Sequence, residues 1–280
     1  MISKFMFSGT AMRFWWGGLI TFTVVTLFYL ILPTLVIIPL SFSDGTYLSF
    51  PPPAWSLRWY EAISDSQYPA AFANSIRIGI PAAALATVIG TLAALGLVRG
   101  RPRFAKLMSA LAVAPFMLPQ IVLAIGLYSI FARLGLVGSY TATILAHAVA
   151  ASPLVFISVS SALRSYDATL ETAAMTLGAN WWQTFWLVTF PMIRLGVIAG
   201  AILAFSFSFD EIIMALFLTS SQTITLPKQL YSEMRFNLTP IVAAASTIVV
   251  LISCLLLLLV AILQSKAARG DRDQQQGRIS

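Results

Sequence analysis

Charge is what this sequence holds least of. Only 10% of its 280 residues are charged, against a hydrophobic share of 59% and a mean hydropathy of +0.87. That balance lies outside the range of soluble globular chains and makes this an integral membrane protein. Histidine and cysteine occur once each, as His147 and Cys254. An intrachain disulfide is therefore excluded, and no His/Cys cluster for a metal can be assembled. None of the four lysines, Lys4, Lys106, Lys228 and Lys266, follows a glycine. The G-K-[ST] phosphate loop is thus missing, and the chain cannot bind ATP by that route. No Ser/His/Asp spacing stands out, so no catalytic residue and no metal site is assigned.

What the sequence does have is long apolar runs. Six are long enough to cross a bilayer, given that a spanning helix needs roughly 20 apolar residues. They lie near 15–40, 74–98, 107–131, 139–163, 195–218 and 239–264. Backbone amides at that depth must be paired within their own segment, so the fold class is all-α. The first run has a basic start like a signal peptide, but it continues to residue 40 without an A-x-A-like site and reads as an uncleaved span. With a cytoplasmic N-terminus, the inner segments hold twelve basic residues: Lys4, Arg13, Arg99, Arg101, Arg103, Lys106, Arg164, Arg194, Lys266, Arg269, Arg272 and Arg278. The outer segments hold four, Arg58, Arg133, Lys228 and Arg235. This positive-inside bias puts residues 1–14, 265–280 and the 164–194 connection in the cytoplasm, around a permease domain over 15–264. The net charge of +7 is spread as topology signals rather than gathered in a patch, so it calls for no nucleic acid.

Within the spans, Gly79, Ala83, Ala86, Gly90 and Ala94 form a small-residue stripe suited to close helix approach. Pro115 and Pro119 are expected to kink the third span. His147 has two readings, a neighbour of a permeation path or a side chain bonded between helices. Cys254 reads as a small apolar packing residue. Between the first two spans, residues 41–73 carry Pro51-Pro52-Pro53 with Trp55, Trp59 and Tyr60, a stiff interfacial excursion that could meet an outer partner. The fifth span contains Asp210-Glu211 in an otherwise uncharged run. One ionised acid at a helix centre costs roughly 2.5–3.5 kcal/mol on insertion scales, so something polar must face the pair. Either an acid is protonated or paired with a neighbouring span, for instance with Arg77, or one of the two lines a water-filled path and attracts a cation.

The most ordered polar stretch is Arg164 to Arg194. Leu170, Ala173, Ala174 and Leu177 recur at helical spacing, and Asp167 is placed to cap the start. Gly178 supplies a residue able to take positive φ, and Asn180 with Gln183 has the spacing of a capping box. The prediction is helix, sharp turn, helix, with Trp181, Trp182, Phe185 and Trp186 on the second limb and Pro191 at the entry to the next run. A Trp-rich interfacial helix is the alternative.

Thr172-Ala173-Ala174, three residues, Gly178, nine residues and Val188-Thr189-Phe190-Pro191 together resemble the EAA loop of the membrane subunits of ATP-binding-cassette importers. That pattern is E-A-A, three residues, G, nine residues, I-x-L-P. Ala173, Ala174, Gly178 and Pro191 match it; Thr172 stands where the family has its glutamate, with Glu171 one residue earlier. Ser56 to Tyr60, Ala71 to Ser75, and Ala204 to Glu211 with Leu226, Pro227 and Tyr231 resemble the spermidine and putrescine branch of these permeases. Relatives of that branch carry other organic amines, aminophosphonates or amino-acid derivatives.

The resemblance implies a non-enzymatic transport subunit of a bacterial inner membrane, with six spans and a cytoplasmic helix-turn-helix coupling loop between spans 4 and 5. It implies Glu171, Thr172, Ala173, Ala174, Gly178, Ala179 and Pro191 as the ATPase-coupling residues, with Glu171 as the polar contact, and Asp210 or Glu211 on the substrate path. Its implied partners are a cytoplasmic ATPase dimer holding ATP and Mg, a second permease subunit that is a different chain, an external solute-binding protein and membrane lipid. The chain itself would hold no cofactor. The rival class is an ion-gradient-driven carrier using Asp210 or Glu211 for protons, which predicts inverted repeats; none is apparent between the halves.

Overall fold

A computed structural model describes residues 9–100, 102–236, 239–255, 258 and 262. Among the described residues all regular structure is helical: α1 Gly9–Ser41, α2 Arg58–Ser64, α3 Tyr68–Val98, α4 Ala105–Met117, α5 Gln120–Arg133, α6 Tyr140–Ser165, α7 Thr169–Thr176, α8 Trp181–Thr184, a π-helical turn Phe185–Thr189, α9 Phe190–Asp210, α10 Ile213–Leu218, α11 Leu226–Phe236 and α12 Pro240–Leu255. The described residues fall into two compact units, with the divisions after residues 65, 235 and 250 and the middle portion from 66 to 235 forming most of the second.

In the first unit, Trp15–Ser41 of α1 is long and apolar enough to span a bilayer, and none of that window is buried. A helix apolar on every side is suited to lipid or to another membrane chain, not to water. The excursion after it is closed on itself. Ser56 N–H donates to Phe42 O at 2.7 Å, Trp59 Nε1–H donates to Gly45 O at 3.1 Å, and the Ser41 and Tyr60 hydroxyls lie 2.7 Å apart.

The second unit is built on α3, α6 and α9. Helix α6 is central, with 61% of its membrane-length window buried against 39% for α3. Ser139 caps its start, accepting from Ala142 N–H at 3.2 Å. Lipid gives helices no hydrophobic reason to associate, so contact area between small residues must hold them. The expected stripe does this: Gly79, Ala83, Ala86, Gly90 and Ala94 of α3 are all buried. A Cβ on Gly90 would lie 2.7 Å from Val155 Cβ and 2.8 Å from Ser152 O, so α3 meets the α6 backbone there. Helix α9 makes the same kind of contact at Gly196, where a Cβ would come within 2.6 Å of Ala162 Cβ. The core between the three helices contains Ala83, Ala86, Val155, Phe156, Val159, Leu163, Ile193 and Ala204.

Among the described residues, four helices are long and apolar enough to cross a membrane: Trp15–Ser41, Tyr68–Val98, Tyr140–Ser165 and Trp181–Asp210. Two expected spans are broken. The third bends by 97° between α4 and α5. Pro119 has no N–H to continue the ladder, and the residue before a proline is pushed out of the helical region, as the Leu118 ψ of 143° shows. Counted as one, the pair makes a fifth candidate. A second core of Ala124, Phe131, Ala142, Ala146, Ala150, Met214 and Leu218 joins α5, α6 and α10. The fifth span, expected over 195–218, instead runs from Trp181 to Asp210 and breaks before α10. The sixth, expected over 239–264, is helical over Pro240–Leu255, and most of its remainder lies outside the described residues. Cys254, expected to pack, is exposed.

Candidate functional site

The stretch between α6 and α9 folds as two short helices about a glycine turn. Tyr166 takes an extended conformation and ends α6, and the Asp167 carboxylate accepts from Thr169 N–H at 2.9 Å as α7 begins. Helix α7 closes at Gly178, whose φ is +91°. Gly178 N–H donates to Met175 O at 3.0 Å and Ala179 N–H to Ala174 O at 3.1 Å. These are the two bonds of a Schellman motif, which requires the left-handed residue that glycine supplies. Asn180 then opens α8 with a full capping box: its Oδ1 accepts from Gln183 N–H and Gln183 Oε1 accepts from Asn180 N–H, each at 2.9 Å.

Helix α7 buries none of its residues. Thr172, Ala173 and Gly178 are exposed, Ala174 and Ala179 half-buried, and Leu177 is 89% exposed. The second limb carries an aromatic stack. Trp181 and Phe185 are nearly parallel at 6.1 Å, and Trp182 meets Trp186 edge-on at 5.8 Å. Beyond it the helix widens into the π turn, closed by Phe190 N–H to Phe185 O, with exposed Pro191 following. Proline lacks the N–H that would bond back to Leu187 and its ring crowds that carbonyl, which favours the wider turn.

The Glu171 carboxylate is engaged within the chain. Oε1 accepts from Arg99 Nε at 3.0 Å, from Thr189 Oγ1 at 3.1 Å and from the Tyr166 hydroxyl. The Arg99 guanidinium also lies 4.5 Å above the Tyr166 ring. Burial alone would lower the Arg99 pKa, but hydrogen bonds with Tyr166 and Glu171 outweigh it and the net shift is upward. Burial likewise pushes the Tyr166 phenol up. One helical step rotates a side chain by about 100°, so Glu171 inside places Thr172 outside. Beside this cluster lies a cavity of about 520 Å³ lined by Leu92, Leu95, Met175, Trp181 and Phe185 together with Arg99 and Glu171.

The two carboxylates of the fifth span do different things. Helix α9 ends at Asp210, and Glu211 has a ψ of 115°. Glu211 is 4% exposed and its Oε1 accepts from Met214 N–H at 3.0 Å, capping α10. Among the described residues neither acid forms an ion pair with Arg77. Asp210 is exposed. Two residues before it, Ser208 Oγ lies 2.8 Å from His147 Nδ1, a buried polar contact between α9 and α6 that fits the interhelical reading of His147.

Sequence reasoning missed a second tie, on the connection after α10. Asn74 Nδ2 donates to Gln222 O at 3.0 Å and Ile224 O at 3.1 Å, while Tyr140 donates to Asn74 Oδ1 at 2.6 Å. Lys228 Nζ donates to Thr219 O and Oγ1 at 3.0 and 2.8 Å, and burial holds its pKa below the usual lysine value. An amide at the start of a span was the available signal; its partners, some 150 residues away, were not.

Residues 86–269 match the family described as binding-protein-dependent transport system inner membrane component. The chain is 33% identical over 224 residues to the putrescine transport system permease protein PotI of Escherichia coli, covering 77% of this chain and 79% of that one. It is 30% identical over 226 residues to the spermidine/putrescine transport system permease protein PotC of Haemophilus influenzae, covering 80% and 87%. In fold it is similar to a chain of a bacterial ATP-binding-cassette transporter involved in import of the acidic polysaccharide alginate, with a TM-score of 0.66 over 93% of this chain and 98% of that one. Sequence identity there is 16%, so the likeness is one of fold alone.

Proposed function

The chain belongs to the family of binding-protein-dependent transport system inner membrane components, and from that premise we propose that it forms half of the translocation pore of an ATP-driven importer of a polyamine such as putrescine or spermidine. In this reading six spans cross a bacterial inner membrane, both termini are cytoplasmic, and the 164–194 loop meets a cytoplasmic ATPase dimer that holds ATP and Mg. A second permease subunit, a different chain, completes the pore, and an external solute-binding protein delivers the polyamine.

The observation that carries the reading is the uncharged tip of the loop. Leu177, at 89% exposure, caps the end of α7, a helix with no buried residue, next to exposed Gly178 and one turn from exposed Ala173. Covering a leucine side chain is worth roughly 1.5–3 kcal/mol, so this tip is suited to an apolar groove on another protein. Closure of the ATPase pair would draw two such loops together, tilt α6 and α9, and open the pore outward; hydrolysis would reset it. The bundle then has two states biased from opposite faces. The division of labour at the break in the fifth span supports Asp210 as the solute-facing carboxylate, since Glu211 is committed to capping α10.

The test is reconstitution of this chain with its ATPase, second permease subunit and binding protein in vesicles, followed by uptake of radiolabelled putrescine. Uptake that requires hydrolysable ATP is expected. Accumulation driven by a proton gradient without the ATPase would replace the importer with a gradient-driven carrier.

A further inference from the structure

We propose that Glu171 is a positioning residue: with Arg99, Tyr166 and Thr189 it forms a polar clamp that fastens the coupling helix α7 to three membrane helices, so that displacement of the loop is passed to the bundle. The proposal rests on the importer reading for what the displacement does, and on geometry for the clamp itself.

Each partner comes from a different helix end. Arg99 follows the last residue of α3, Tyr166 follows α6, and Thr189 precedes α9, and these are the helices that share the central core. Three donors converge on one carboxylate oxygen, and one of them is a guanidinium stacked on a second donor's ring. Bonds of this charge-assisted kind are roughly twice as strong as neutral ones and fix direction as well as distance. Apolar packing cannot substitute for them, because α7 buries no residue and the cavity of about 520 Å³ lies against the cluster. The attachment of α7 to the bundle therefore depends on a few directional bonds. The opposite side of the helix, at Thr172 and Ala173, is left free for a partner. In sequence, Glu171 stands beside the motif position held by Thr172; in space it does a different job.

Glu171→Gln keeps the size and an acceptor but removes the charge. In the isolated full chain, hydrogen exchange of the α7 amides should quicken roughly tenfold, the scale of a lost charged hydrogen bond, with α3 and α6 unchanged. In the reconstituted complex the variant should still bring down its ATPase, and putrescine moved per ATP hydrolysed should fall roughly tenfold. The charge-swapped double variant, Arg99→Glu with Glu171→Arg, should recover both readouts relative to Arg99→Glu alone. Unchanged α7 exchange in Glu171→Gln overturns the clamp, and so does an unchanged transport-to-ATP ratio. Loss of ATPase recovery with normal α7 exchange would instead make Glu171 a docking contact and equally overturn it. A wild-type complex that fails to import putrescine would sink the solute assignment, and the exchange arm would still decide the clamp.

Discussion

Gly178 allows backbone conformation to be separated from bulk. Its φ of +91° is reached by other residues only at a cost, and nothing lies within 4 Å of a Cβ built there. Within this chain a side chain at 178 would meet open space, so any penalty comes from the backbone. Alanine in the left-handed region costs about 1–2 kcal/mol, which lowers the population of the closed Schellman turn by roughly 5–30-fold. Asparagine, though larger, visits that region more readily and should cost less, while the β-branched valine should cost most. The reporters are the Gly178 and Ala179 amides, which donate to Met175 and Ala174. Their hydrogen exchange in the detergent-solubilised chain should quicken in the order Asn, Ala, Val. ATP-driven putrescine uptake by the assembled complex should fall in the same order, with membrane insertion unchanged. An order following side-chain volume, with alanine mildest, would refute the backbone argument and make 178 a steric contact. Gly178→Asp adds a charge at the apolar tip and should abolish uptake while leaving the chain inserted.

Asp210→Asn should raise the half-saturating putrescine concentration roughly tenfold, the scale of one charge-assisted hydrogen bond, without changing melting temperature. Glu211→Ala should do the reverse, lowering melting temperature by leaving the buried Met214 N–H unpaired, a loss of about 1–3 kcal/mol. Gly196→Leu drives a side chain into Ala162 and should destabilise the bundle by about 1–3 kcal/mol, whereas Gly126→Ala, with nothing within 4 Å, should be neutral or stabilising in the same thermal-melt assay. Because burial lowers the Lys228 pKa, the folded chain binds fewer protons than the unfolded one at alkaline pH. Stability should therefore rise with pH across the interval below the usual lysine value of about 10.4 and flatten above it, and Lys228→Met should remove that slope in pH-dependent melts.

What could be read from the sequence was local. The Gly178 turn, the Asn180 and Gln183 capping box and the small-residue stripe of α3 depend on residues a few positions apart, and the structure carries all three. The Gly196 contact with α6 has a glycine spacing too, since Gly200 follows four residues later, but nothing local marks it out inside an apolar run. Pro119 signalled a kink, although nothing local sets the 97° between α4 and α5, which depends on what each half packs against. The inward turn of Glu171 was illegible for a related reason. Its guanidinium partner lies 72 residues earlier, and only the packing of α3 beside α6 brings the two together. Glu211 looked like half of an acidic pair because adjacency in sequence suggests a shared role; a break in the helix gives the neighbours separate ones.

In the proposed importer the uncharged tip of the 164–194 loop seats in a groove of a cytoplasmic ATPase. A photo-reactive amino acid at Leu177, with a second at Trp182 for comparison, should be introduced into the full chain in its native membrane, illuminated, and the adducts identified by mass spectrometry. The Leu177 adduct should be a peptide of an ATPase that carries the G-K-[ST] phosphate loop. Adducts at Leu177 with lipid alone, or with this chain's own residues, would contradict it and reduce the loop to an interfacial helix.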